Sequence, residues 1–239
     1  MSNKIGILSD IHGNYDALKA VINKAQKNKI TSFIFCGDLI GYYYEPKKCI
    51  DLLSKFKVDY IKGNHEIMLA DYLNNKIRKE DILPKYGNGL FKAVEQLSNK
   101  QMNFLLSLDH CKTIKINNKL IKISHGSPWS PFDYIYPDSP DKKIKKFSSS
   151  KEDIFILGNT HHQMNIKKYS KVIFNPGSVG QSRDLKGRAA WAILDKKSFN
   201  VDFFYEKYNK SKLLKKIKEI EKQNHYNYRV LIWNLKKEY

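Results

Sequence analysis

The stretch Lys4-Ile5-Gly6-Ile7-Leu8-Ser9-Asp10-Ile11-His12-Gly13-Asn14 sets the reading of the whole chain. An apolar β-branched run stops abruptly at two polar residues, Asp10 and His12. Asn14 then offers a helix N-cap, and Ala17, Leu18, Val21 and Ile22 lie beyond it on one helical face. This is the strand–loop–helix start of a βαβ unit. On extended chain, residues two apart point the same way, so Asp10 and His12 are expected to converge on one ion. A lone Asp-x-His is more often structural, and it gains weight only from companions elsewhere in the chain.

Four further short strings each close a predicted strand: Gly37-Asp38, Gly63-Asn64-His65-Glu66, Ser124-His125-Gly126 and Gly158-Asn159-Thr160-His161. Strands are predicted at 4–8, 32–36, 59–62, 113–116, 120–124, 154–157, 171–174, 189–194 and 200–205. The polar residues therefore gather beyond C-terminal strand ends, where open α/β sheets place their sites. Asp38 can cap a turn or bridge two cations through its two oxygens. Asn64 offers a neutral amide oxygen to a hard metal, or an N-cap to a helix starting at Glu66. His65 offers a proton near neutral pH. Singly, His125 would be a satisfied core histidine; together these residues form one site.

Between the strands, a helix is expected from Pro46 through Ile50, Leu52 and Leu53. Two short helices in 88–108 should cover a sheet edge. The late strands arrive in quick succession from Leu120 onward, which suggests a second sheet packed on the first. Residues 210–223 place Leu213, Leu214, Ile217 and Ile220 on one side and lysines on the other, as a docking helix requires. We expect a single α/β domain over 1–239, with 206–239 a basic helical extension.

The 239 residues carry 43 Lys+Arg against 24 Asp+Glu, a net charge of +19, and most of the cations are lysines. That field attracts phosphorylated ligands. Its lysines are spread along the chain and define no groove, so nucleic acid ranks behind a small phosphate ester as the expected partner. An apolar share of 41% is ordinary for a globular chain. No run approaches the ~18 apolar residues of a membrane span. The first strand meets Asp10 and His12 too early for a signal peptide. Cys36, Cys49 and Cys111 form no CxxC pair and read as inert thiols, so the expected location is cytoplasmic.

With those motifs assembled, the chain resembles the calcineurin-like metallophosphoesterase superfamily, whose pattern is DxH, GD, GNH(D/E), H and GHxH. It is most similar to the small bacterial and archaeal phosphoesterase branch. Gly37-Asp38-Leu39-Ile40-Gly41-Tyr42, His125-Gly126-Ser127-Pro128 and Asn175-Pro176-Gly177-Ser178-Val179-Gly180-Gln181 with Arg183-Asp184 extend the likeness across 4–205. The resemblance implies a four-layer α/β/β/α sandwich and two divalent metal ions. One would take Asp10, His12, Asp38 and His161. The other would take Asp38, Asn64, His125 and the residue at Asn159. Asn64 and His65 would contact the scissile phosphate, with His65 assisting the leaving group.

Two cations about 3.5–4 Å apart can hold a bridging hydroxide and polarise phosphoryl oxygens. Imidazole, carboxylate and amide ligands without thiolate suit manganese first, with iron, zinc or nickel as alternatives. The implied activity is a metal-dependent phosphoesterase, foremost a phosphodiesterase on a small or nucleotide-like substrate. Phosphomonoesterase activity, and a degenerate non-catalytic binder of phospho-ligands or nucleic acid, are the alternatives.

The chain departs from the pattern twice. Asn159 stands where GHxH has its first histidine, which predicts a weak second metal seat; neighbouring His162 could swing in, though on a strand end its side chain should point away from His161. Protein Ser/Thr phosphatases of the superfamily carry Asp-Arg where this chain has Gly41-Tyr42, which argues against a phosphoprotein substrate. Arg183 either supplies the missing phosphate-binding cation or pairs locally with Asp184.

Overall fold

The computed structural model describes residues 3–184, 187–221 and 226–236. The first half runs β1 (Lys4–Leu8), α1 (Tyr15–Lys27), β2 (Ser32–Phe35), α2 (Pro46–Leu53), β3 (Lys57–Tyr60), α3 (Asn64–Leu73), α4 (Lys79–Tyr86), α5 (Gly89–Gln96) and α6 (Asn99–Ser107). The second runs β4 (Cys111–Ile116), β5 (Lys119–Ser124), α7 (Asp141–Lys145) with a 3-10 turn (Lys146–Ser149), and β6 (Ile154–Ile156). It continues through β7 (Gln163–Lys168), β8 (Lys171–Pro176), β9 (Ala189–Asp195), β10 (Val201–Glu206), α8 (Ser211–Ile220) and α9 (Tyr226–Lys236).

Among the described residues two five-stranded sheets form, in the orders β10-β9-β1-β2-β3 and β4-β5-β6-β8-β7. Within each, three neighbouring strands are parallel: β1, β2 and β3 in one, β5, β6 and β8 in the other. The period of two along each strand explains the layers. Ile5 and Ile7 of β1 and Ile34 of β2 meet Ile121, Ile123, Ile154 and Ile156 of the other sheet. The alternate residues Leu8, Phe33 and Phe35 turn to Leu18, Val21 and Ile22 of α1 on the outer face. Beyond the second sheet, Phe155 and Ile173 are covered by Ile144 and Phe147. The architecture is the expected four-layer α/β/β/α sandwich.

The expected second sheet forms, but its membership differs from a simple succession. β9 and β10 return to the first sheet, where β9 lies antiparallel to β1 with Gly6 opposite Ile193. β7, a strand absent from the sequence reading, occupies the far edge of the second sheet. Its residues Gln163, Asn165, Lys167 and Lys168 are polar, as an edge strand with one wet side allows. The two short helices do cover the sheet edge: Phe104 of α6 lies edge-on to Tyr60 of β3, 5.2 Å between centroids. Asn14 caps α1 as expected, accepting from the Ala17 amide at 3.2 Å. Among the described residues no helix is long and apolar enough to cross a membrane.

Candidate metal centre

Loops after β1, β2, β3, β5 and β6 open on the same end of the two sheets and deliver the predicted side chains to one place. The first two loops are zipped together: the Asp10 amide donates to Gly37 O at 3.0 Å and the His12 amide to Asp38 O at 2.9 Å. The backbone there is not the extended chain expected from Asp-x-His spacing. Asp10, His12, Asp38, Asn159 and His161 all have positive φ, between 51° and 65°. Left-handed backbone costs a non-glycine residue roughly 1–2 kcal/mol. Five such residues persist because cross-loop hydrogen bonds hold them. Asp10 and His12 thus converge through a turn, not through strand alternation.

The centre is built from acceptors facing acceptors. His12, His125 and His161 each have Nδ1 bound to a main-chain carbonyl, of Ile40 at 3.1 Å, Cys36 at 2.7 Å and Gln181 at 2.8 Å. The carbonyls fix Nδ1 as a protonated nitrogen and turn three Nε2 atoms inward. His12 Nε2 lies 3.0 Å from His161 Nε2, and His161 Nε2 lies 3.2 Å from Asp10 Oδ1. His125 Nε2 is 3.3 Å from Asp38 Oδ2 and 2.8 Å from Asn64 Oδ1. Asp10 Oδ1 is buried without a hydrogen-bond partner. Lone pairs at such separations require a cation or a proton between them.

Among the described residues, three triads of ligand atoms lie within 4.8 Å of one another: Asp10, His12 and His161; Asp10, Asp38 and His125; and His12, Asp38 and His65. Each could hold a metal ion, and shared Asp38 and Asp10 link them. The donor set, buried carboxylates with neutral imidazoles, fits divalent cations.

Electrostatics agree with that fit. Burial lowers His12, His161 and His65, which keeps them neutral and able to ligate. Asp38 is held below its usual value: burial opposes this, and His125 and His65 outweigh it. His125 behaves oppositely. Burial pulls it down, but Asp38 and Asp10 lift it to about 10, so a cation bound there must compete with its proton.

The other predicted residues are each placed by a bond of their own. Asn64 opens α3, whose N-cap is Gly63, so its side chain is left for the centre rather than for capping. Asn159 gives its amide Nδ2 to Asp133 O at 2.8 Å, which orients the side chain and leaves Oδ1 as the atom it could offer to a cation. His162 turns aside, with Nδ1 bound to Thr160 O at 2.8 Å and its ring edge-on to Tyr136. Arg183 does not pair with Asp184, whose carboxylate takes the Gln163 amide, Ser182 Oγ and Tyr205 Oη. The Arg183 Nε is buried without a partner, and Tyr226 and Tyr42 lie near the guanidinium. Cys36 and Cys49 are buried, and burial raises both thiols, as inert cysteines require. Cys111 is half-buried.

Sequence reasoning missed three supports. Glu66 is buried and accepts from the amides of Asp38, Leu39, Ile40 and Gly63 at 2.7–3.2 Å. It fastens the loop after β2 to the start of α3; a capping-box spacing from Gly63 was the visible signal. Asn175 donates to Gly158 O at 2.7 Å, and Ser178 Oγ donates to Asp10 O at 2.8 Å. Asn-Pro-Gly-Ser is thereby the brace between the loops of Asp10 and His161. Tyr42 packs on His12 at 4.7 Å and on His65 at 5.1 Å.

Comparison with known proteins bears on this centre. A family model described as the calcineurin-like phosphoesterase superfamily domain matches residues 4–198. The chain is 31% identical over 238 residues to the uncharacterized protein MJ0912 of Methanocaldococcus jannaschii, covering 91% of this chain and 93% of that one. Its fold is similar to that of hypothetical protein PH1004 from Pyrococcus horikoshii, with TM-score 0.80, 22% identity and coverage of 95% and 97%. A metallophosphoesterase from Sphaerobacter thermophilus superposes with TM-score 0.78 at 22% identity, covering 97% and 98%.

Proposed function

The chain belongs to the calcineurin-like phosphoesterase superfamily, and from that premise we propose that it is a metal-dependent phosphodiesterase acting on a small or nucleotide-like ester. The observation that carries this reading is the set of three inward imidazole nitrogens facing the carboxylates of Asp10 and Asp38. Asp10, His12, Asp38 and His161 would hold one divalent ion, manganese foremost. Asp38, Asn64, His125 and Asn159 would hold the other, more weakly because an amide oxygen replaces an imidazole. When bound, such a pair supplies Lewis-acid polarisation of the phosphoryl group and activation of water.

The chain's own groups do the rest. Asp38 would bridge the two seats. His65 stays neutral because burial lowers it, against the pull of Asp38. Its N–H can then donate to the phosphoryl or leaving-group oxygen. Arg183, free of a local carboxylate, would take a phosphoryl oxygen. A diester is favoured over a monoester because Gly41-Tyr42 supplies no second guanidinium for the extra charge of a monoester dianion.

The test is hydrolysis of bis-(p-nitrophenyl) phosphate against p-nitrophenyl phosphate with Mn, Ni and Mg. Faster diester turnover with Mn is expected. Monoester preference would overturn the diesterase reading, and no turnover with any metal would overturn the hydrolase reading.

A further inference from the structure

Helices α8 and α9 lie beyond the residues matched to the family domain. Their buried side chains Leu213, Ile217 and Leu231 cluster with Tyr42, Tyr43 and Tyr44, on the loop that leads away from Asp38. Two polar side chains from this region act as clasps. Asn227 is fully buried, and its Nδ2 donates to the carbonyl oxygens of Tyr42 at 3.0 Å and Tyr86 at 3.2 Å. Glu221 accepts from Tyr44 Oη at 3.2 Å and from the backbone and side-chain nitrogens of Asn88 at 2.6 and 3.0 Å. The C-terminal pair therefore ties together two segments that both reach His65: the Tyr42 ring lies 5.1 Å from it and the Tyr86 ring 5.0 Å.

Tyr226, the first residue of α9, completes the group, with its ring 6.1 Å from that of Tyr42. Tyr42 and Tyr86 are themselves 5.8 Å apart. Arg183 adds one guanidinium among these phenols with its Nε unpartnered. The half-buried rings of Tyr86 and Tyr226, backed by buried Tyr42 and beside one cation, suit a phosphate oxygen joined to a flat ring: the guanidinium takes the charge and the phenols take the ring face. An alkyl ester would leave that surface unused.

We infer that α8 and α9 are part of the substrate site, Tyr226 joining Tyr42 and Tyr86 in a subsite for a flat aromatic group, such as a nucleobase or aryl ring, carried by the phosphate. The inference rests on the phosphoesterase reading. Its test reads binding and not turnover, so that the two can fail separately.

The full-length, Mn-loaded protein is titrated calorimetrically with phenyl phosphate and with methyl phosphate. Phenyl phosphate should bind about tenfold tighter, the size of one stacking contact. Tyr226→Leu should abolish most of that preference, Tyr226→Phe should keep it, and both should retain metal content. If Tyr226→Leu lowers the melting temperature, Tyr226→Phe against Tyr226→His compares rings of different stacking area in the same packing; weaker aryl preference in the histidine variant supports the subsite. Equal affinity of the unmodified protein for the two ligands overturns the inference, as does an unchanged preference in Tyr226→Leu. An aryl preference without hydrolysis of any ester would overturn the hydrolase reading and leave the subsite standing.

Discussion

His12 Nε2 and His161 Nε2 face each other across 3.0 Å while the opposite nitrogen of each ring is bound to a carbonyl, of Ile40 and of Gln181. Neither ring can turn its N–H inward without abandoning a buried carbonyl. The pair is therefore a preset bidentate seat, supplied by two loops 149 residues apart in sequence. Asp38 Oδ2 stands next to it at 3.8 Å from His12 Nε2 and 3.3 Å from His125 Nε2, and Asp10 Oδ1 approaches the same two nitrogens at 3.8 and 4.0 Å.

Asp38→Ala should empty both seats. Metal analysis of the purified variant should find neither ion, and turnover should fall by more than the ~100-fold typical of losing an outer-shell partner. Normal metal content in this variant would show that Asp38 is not the bridge.

His65→Ala should separate binding from chemistry. Metal content should be retained while kcat falls by about 10²–10⁴-fold, the usual contribution of a positioned proton donor. Unchanged kcat would remove His65 from the reaction.

Asn159→His restores the imidazole of the family pattern. Titration with Mn should show the weaker equivalent bound about tenfold tighter, or ~1.4 kcal/mol. No gain would mean that position 159 does not reach the second ion. The Asn159 bond to Asp133 O is lost in this variant, so its melting temperature is measured alongside.

Gly41 has φ +137°, and a Cβ there would come within 2.5 Å of His65 Nδ1 and 2.7 Å of His12 Nδ1. Gly41→Ala should displace both rings, and a shift near 1 Å at a reacting group costs on the order of 10²-fold in rate. Full activity would show that the loop yields freely.

Glu66→Ala leaves four backbone amides without their acceptor. The expected loss is about 3 kcal/mol or more, a fall in melting temperature of roughly 6–12 °C for a chain of this size. Glu66→Gln keeps one acceptor oxygen and should lose about half as much. Unchanged melting in both would assign the loop geometry to other bonds.

Much of the candidate site was legible because each of its strings sits where an apolar run ends. Asp10, His12, Asp38, His125 and His161 could be set side by side from that rule alone. The turn that brings Asp10 and His12 together was not legible, since the φ of 53° and 51° are imposed by bonds to residues 37 and 38. Glu66 was hidden in the same way: as a sequence symbol it is a helix-start acid, and only packing brings three amides of the loop after β2 to its oxygens. β7 was not legible because Met164 and Ile166 are its only apolar residues, and the place of β9 in the first sheet was not because its pairing with β1 spans nearly the whole chain.

The types of the candidate ligands, their order, their place beyond strand ends and the two-sheet architecture can all be read along the chain. Those are local properties, set by side-chain chemistry and by a two-residue period. Tertiary structure decided which imidazole nitrogen faces inward, that Arg183 stays free of Asp184, and that Asn227 and Tyr226 reach the tyrosines around His65. These depend on which carbonyl, carboxylate or ring arrives from a distant segment, and such contacts carry no signature in the residues that make them.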